Sequence, residues 1–182
     1  NYYDEPFADS SQIPTHLVCR SAREHVTVSL SGDGGDELFG GYNRYFLGPK
    51  IWNQLEKFPK PVRYGLGHMI SATPFSVWDW LGSKAGGKLA VSHAGDKAQK
   101  VARVLRDVDN IDELYRSLIS FWPGSDLVNG NPNANSNVLD DILPEFLALD
   151  PAARMMALDL CSYLPDDILC KVDRAAMSVS LE

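Results

Sequence analysis

The stretch Ser31–Tyr45, reading SGDGGDELFGGYNRY, constrains this chain more than any other. Three closely spaced glycines, Gly32, Gly34 and Gly35, permit backbone angles that a side chain forbids, and they let a ligand approach the main chain. A short apolar alternation, Val26, Val28 and Leu30, leads into the loop and predicts a strand over 26–30. Glu37, Leu38 and Phe39 lead out of it with helical character. A glycine-rich loop between a strand and a helix is where open α/β sheets bind ligands, and bare N–H groups there suit a phosphate. Asp33 and Asp36 add two carboxylates to the loop, with Glu37 adjacent. Plainer accounts compete: a Gly-Asp turn, or acidic residues answering the dipole of a helix N-terminus. A calcium loop does not fit, because the alternating Asp/Asn ligands and the distant bidentate Glu are missing.

With 182 residues, 45% of them hydrophobic, the chain can bury the core of one domain. Its formal net charge of -7 argues against a general basic face for nucleic acid. No signal-peptide pattern opens it, and no apolar run approaches the ~20 residues of a membrane span. Cys19, Cys161 and Cys170 form no C-x-x-C pair and are odd in number, so reduced thiols in a cytoplasmic protein are expected, without zinc. His16, His25, His68 and His93 show no metal-ligand spacing either.

Asp9 or Ser10 is placed to cap a helix running to about Arg23, with Pro14 in its first turn and Ile13, Leu17, Val18 and Ala22 on one apolar face. After Tyr45 the pattern predicts short helices started by Pro49, Pro61 and Pro74 and interrupted by Gly48, Gly65, Gly67 and Gly82. Trp78, Trp80 and Leu81 are expected in packing. Residues 84–95 are expected as a flexible connection. A helix follows from Asp96 with Val101, Val104 and Leu105 inward, and another covers Ile111 to Phe121 with Leu114, Leu118 and Phe121 along one face. Residues 124–137, rich in Gly, Asn and Ser, read as a surface loop. Asp150 and Pro151 open a buried helix with Met155, Leu158 and Cys161, or Met156, Leu160 and Tyr163, inward, and Pro165 is expected to end it. A last amphipathic helix from Asp166 carries Ile168, Val172, Ala175 and Val179 inward, with an Asp167–Lys171 pair on its other face.

Three segments together resemble one family. Ser31–Tyr45 is similar to the glycine-acid loop of the glutamine-hydrolysing asparagine synthetases. Leu164–Glu182, LPDDILCKVDRAAMSVSLE, is similar to a later stretch of the same synthetase domain, and Asp4–Pro14, DEPFADSSQIP, to one ahead of the loop. The resemblance implies an α/β domain of the ATP-pyrophosphatase type, of which this chain is an internal, mostly helical piece with one clear strand. On that comparison an N-terminal glutaminase domain, a pyrophosphate-binding loop and a C-terminal continuation are expected outside residues 1–182, and the piece alone is expected to be inactive.

The family uses ATP, with Mg2+, to activate aspartate as an adenylate, and ammonia from glutamine then displaces AMP. Carried over by motif position, Ser31 and Gly32 would contact the nucleotide. Asp33 would assist deprotonation of the incoming amine, and Asp36 would hold the aspartate amino group or a water. Asp9, Ser10, Glu37, Lys171, Asp173 and Arg174 would touch substrate or hold the site's shape, and no residue is assigned to a protein metal site. The expected partners are these small molecules, the rest of the chain's own polypeptide and, in addition, a second copy; neither nucleic acid nor membrane is expected. Two alternatives stay open. One is a related amide-forming enzyme with another acceptor, such as an amidotransferase of cell-surface biosynthesis or a β-lactam synthetase, although the latter carry Tyr where this chain has Asp33. The other is a non-catalytic nucleotide-binding or helical interaction module.

Overall fold

The computed structural model describes residues 7, 9–84, 94–119 and 144–182. Their regular structure is helical: α1 (Gln12–Arg23), α2 (Gly35–Phe39), α3 (Asn43–Leu55), α4 (Lys60–Ala72), α5 (Phe75–Lys84), α6 (Ala94–Asp107), α7 (Ile111–Ile119) and α8 (Pro151–Cys161), then a π-helical turn over Leu164–Leu169 and α9 (Cys170–Met177). The chain divides into two compact units, Asn1–Tyr45 with Val128–Glu182, and Phe46–Leu127.

No strand forms among the described residues, which corrects the expectation over 26–30. A strand exists only through its ladder, and among the described residues the ladder bonds of this segment reach Glu182 alone. Ser29 N donates to Glu182 O at 2.6 Å, and Glu182 N donates to Thr27 O at 2.9 Å. Two bonds from either side of Val28 to a single residue make one rung of a parallel ladder.

In the first unit α1 packs on α9. The contact is made by Cys19, Ala175 and Leu181, with Ala22, Ala176 and Val179 around them, and its small side chains let the helices close. Of the apolar face expected on α1, Ile13, Leu17 and Val18 stay exposed. The end of α9 explains how Leu181 reaches this core. Leu181 N donates to Ala176 O and Ser180 N to Met177 O, the Schellman closure, with Ser180 in the left-handed region at φ 58°.

The start of α8 follows the sequence: Asp150 Oδ1 accepts from the N–H groups of Ala152 (3.1 Å) and Ala153 (3.3 Å), and Pro151 follows. Met155 and Leu158 are buried, whereas Cys161, expected on the same face, is exposed. Pro165 does not stop the helical path, however. The turn around it widens to π spacing, which accommodates a ring that has no N–H to donate, and the path continues into α9.

In the second unit α6 lies against α4 and α5, with the small residues Gly67 and Ala102 buried on α4 and α6. Buried Arg63 donates from one terminal nitrogen to Val108 O at 2.9 Å. Pro61 and Pro74 stand at helix starts, but Pro49 lies inside α3, where it forgoes the bond to Tyr45 O. Gly48, Gly65, Gly67 and Gly82 are within helices rather than between them. Helix α6 begins before Asp96, held by Gly95 N donating to Asp79 Oδ1 at 3.0 Å. Trp78 is half-buried and donates to Ile70 O, whereas Trp80 and Leu81 are exposed. Leu114 is buried in α7 as expected, but Leu118 there and Val101 on α6 are exposed; Phe121, residues 124–137 and most of the 84–95 connection lie outside the described residues. No described helix is long and apolar enough to cross a membrane.

Candidate functional site

A cleft of about 460 Å³ opens in the first unit between α1, the extended segment 26–33 and α9. Asp33 from the glycine loop and Lys171 from α9 both line it, and Ser29 and Ser31 stand on the extended side. Val18, Cys19, Ala176 and Leu181 give it an apolar wall. Two motifs more than a hundred residues apart in sequence therefore share one cavity. They also meet beside it: Gly34, at φ 84°, caps α2, and a Cβ there would lie 3.5 Å from the Leu164 side chain of the π turn.

The glycine loop distributes its three acids differently. Asp33 is exposed in the cleft and accepts from Ser31 Oγ at 2.6 Å, which fixes where its carboxylate points. Gly32 lies exposed between these two cleft residues. Asp36 is exposed but does not line the cleft. Its carbonyl accepts from the N–H groups of Gly40 and Gly41. Glu37 turns inward, 1% exposed, and accepts from Tyr42 Oη at 2.9 Å. Burial, and then the hydrogen bond and charge of Glu37, push the Tyr42 phenol well above its ordinary range.

Lys171 is buried, and its ammonium donates to Asp9 Oδ2 at 2.6 Å. The Asp9 carboxylate also accepts from Ser11 N (2.8 Å) and Ser11 Oγ (2.5 Å). Burial alone would raise the Asp9 carboxyl, but the bonds from Lys171 and Ser11 outweigh it and hold the group at about 2. Burial would likewise lower Lys171, yet the bond to Asp9 and the charges of Asp9 and Asp167 carry it above its usual value. Asp167 is raised by burial and then by the Asp9 charge, while Lys171 and a hydrogen bond from Tyr163 oppose the shift.

Asp9 thus ties the turn before α1 to α9; it does not cap α1, whose N-cap is Ser11 without a side-chain cap bond. Ser10, Asp173 and Arg174 are exposed and outside the cleft lining. No three His, Cys, Asp or Glu side chains converge on a metal position among the described residues.

Sequence reasoning missed a group that supports the loop from behind. Asp159 is fully buried in α8 and accepts from Arg44 (Nε at 3.0 Å, terminal nitrogen at 2.6 Å) and from Tyr45 Oη at 2.5 Å. The Arg44 guanidinium stacks 4.1 Å from the Tyr42 ring centroid and 5.0 Å from that of Tyr163. An acid amid the apolar positions of α8 was the available clue.

Against known proteins, the family model described as "Asparagine synthase" matches residues 1–182. The chain belongs to that family. A protein of Mycobacterium bovis, provisionally named a glutamine-hydrolysing asparagine synthetase, is 33% identical over 186 residues, covering 100% of this chain and 25% of its own length. Asparagine synthetase 1 of Bacillus subtilis is 29% identical over 182 residues, 100% of this chain and 26% of its own. A relative in Methanocaldococcus jannaschii, also named provisionally, reaches 52% over 61 residues, 34% of the chain and 12% of its own length. The chain therefore spans about a quarter of the length of the first two relatives. No solved structure gives a significant match. Membership of the asparagine synthase family fits an ATP-pyrophosphatase type of α/β domain, to which the described residues contribute chiefly helices.

Proposed function

We propose that the natural polypeptide carrying this chain is an ATP-dependent ligase that converts aspartate, ATP and glutamine-derived ammonia into asparagine, AMP and pyrophosphate. One observation carries the reading: Asp33 and Lys171, from two motifs of the family, line the same cleft. The names of the relatives support the substrate.

In this reading an aspartate side-chain carboxylate oxygen attacks the α-phosphorus of ATP and pyrophosphate leaves. Ammonia then adds to the carbonyl carbon of the adenylate, a proton passes to Asp33, and AMP departs. Asp33 suits that step because it is solvent-accessible and already oriented by Ser31; a positioned base is worth roughly 10²–10⁴ in rate. Its acidity, together with Glu182 on the cleft wall, favours a cationic or amine reactant and hence ammonia as the acceptor. Ser31 and Gly32 would meet the nucleotide through exposed main chain, and Asp36 would hold the aspartate amino group. Magnesium would arrive on the polyphosphate, which neutralises its charge.

The test is Asp33→Asn in the natural polypeptide. Asparagine formation is expected to fall by about 10²–10⁴. Aspartate-dependent ATP–pyrophosphate exchange, which reports the adenylate alone, is expected to persist. Undiminished asparagine formation would remove Asp33 from the chemistry. A polypeptide that does not bind Mg-ATP in calorimetry would overturn the ligase reading and favour the interaction module.

A further inference from the structure

We propose that Gly41 is a positioning residue for Asp36: its missing side chain is the space in which the Asp36 carboxylate is held. A Cβ built on Gly41 would overlap Asp36 Oδ1 and lie 2.8 Å from Cγ and 3.2 Å from Cα. Gly41 does not need to be glycine for its backbone, because the only glycines with positive φ among the described residues are Gly34 and Gly40. Space alone requires it. Gly32 and Gly35, by contrast, have nothing within 4 Å of such a Cβ.

The backbone cannot give way cheaply. Gly41 N donates to Asp36 O at 2.9 Å, and Gly40 N donates to the same carbonyl, so both ends of the contact belong to one closed turn. Added bulk must therefore be relieved by rotating the Asp36 carboxylate away. The second glycine after α2 thus sets the direction of a carboxylate five residues earlier.

The functional part of this inference rests on the reading of Asp36 as the group that holds the aspartate amine. The test is a double-mutant cycle in the natural polypeptide with Gly41→Ala, Asp36→Ala and both together. If Gly41 acts through Asp36, Gly41→Ala lowers kcat/KM for aspartate to within about threefold of Asp36→Ala, and adds less than about threefold in the Asp36→Ala background. KM for ATP is expected to move less than KM for aspartate. The thermal midpoint gives a readout free of any assumed chemistry: Gly41→Ala lowers it with Asp36 present and much less in the Asp36→Ala background, where Oδ1 and Cγ are gone. Non-additive midpoints in a protein that makes no asparagine would uphold the positioning and sink the ligase reading. Independent, multiplying effects in an active ligase, or wild-type activity in Gly41→Ala, would sink the positioning. If Gly41→Ala fails to fold, recovery by Asp36→Ala supports the contact, and failure of the double variant refutes it.

Discussion

Asp9 and Lys171 are half-buried and buried, and each offsets the other's loss of water. The Asp9 carboxyl is depressed from 3.8 to about 2. A carboxyl whose folded value lies below its unfolded value contributes stability that is fully present above the unfolded value and disappears as pH falls through the folded one. Denaturation measured at steps between pH 5 and pH 2 is therefore expected to lose stability on acidification, and Asp9→Asn to flatten that loss. An unchanged slope would mean that the pair is not held in solution. The sequence showed Lys171 four residues after Asp167 and pointed to that pair. Its actual hydrogen-bond partner is 162 residues away in sequence, which spacing along a helix cannot register.

The start of α8 was legible because a cap acts locally: Asp150 needs only the next three residues, and Pro151 only its own ring. Pro165 was not, because a proline at a helical junction can be absorbed by a π turn, and that depends on how the flanking helices pack. Residues 26–30 carried the strand pattern, yet among the described residues no neighbouring strand lies along them, and alternation cannot report a neighbour. Within α8, Asp159 serves as the joint between that helix and the Arg44–Tyr45 turn. Replacing it by Ala strips a half-buried guanidinium and a buried phenol of a shared acceptor. Removing one member of such a pair costs about 3–5 kcal/mol. Urea unfolding of Asp159→Ala is expected to show a loss of that size, and a loss under about 1 kcal/mol would contradict the role given to the joint.

Across the whole molecule, apolar pattern and actual cover separate. Periodicity placed Ile13, Leu17 and Val18 on one face of α1, and alternation grouped Val26, Val28 and Leu30, but Leu30 is 97% exposed. A pattern tells which residues share a face; what lies over that face is decided elsewhere. The site was legible to the same degree. The motifs named Asp33 and Lys171, and only the fold showed that they share a cleft while Asp36 and Glu37 do not line it.

The thiols turn that cleft into something that can be watched. Cys19 lines its wall, and burial, with the Asp33 charge adding to it, pushes the thiol up and keeps it protonated near neutrality, whereas Cys161 is exposed. Iodoacetamide is expected to label Cys161 first and Cys19 much later, as peptide mapping by mass spectrometry would show. A compound that enters the cleft should slow Cys19 further and leave Cys161 alone, so the ratio of the two becomes an internal gauge of occupancy that needs no turnover.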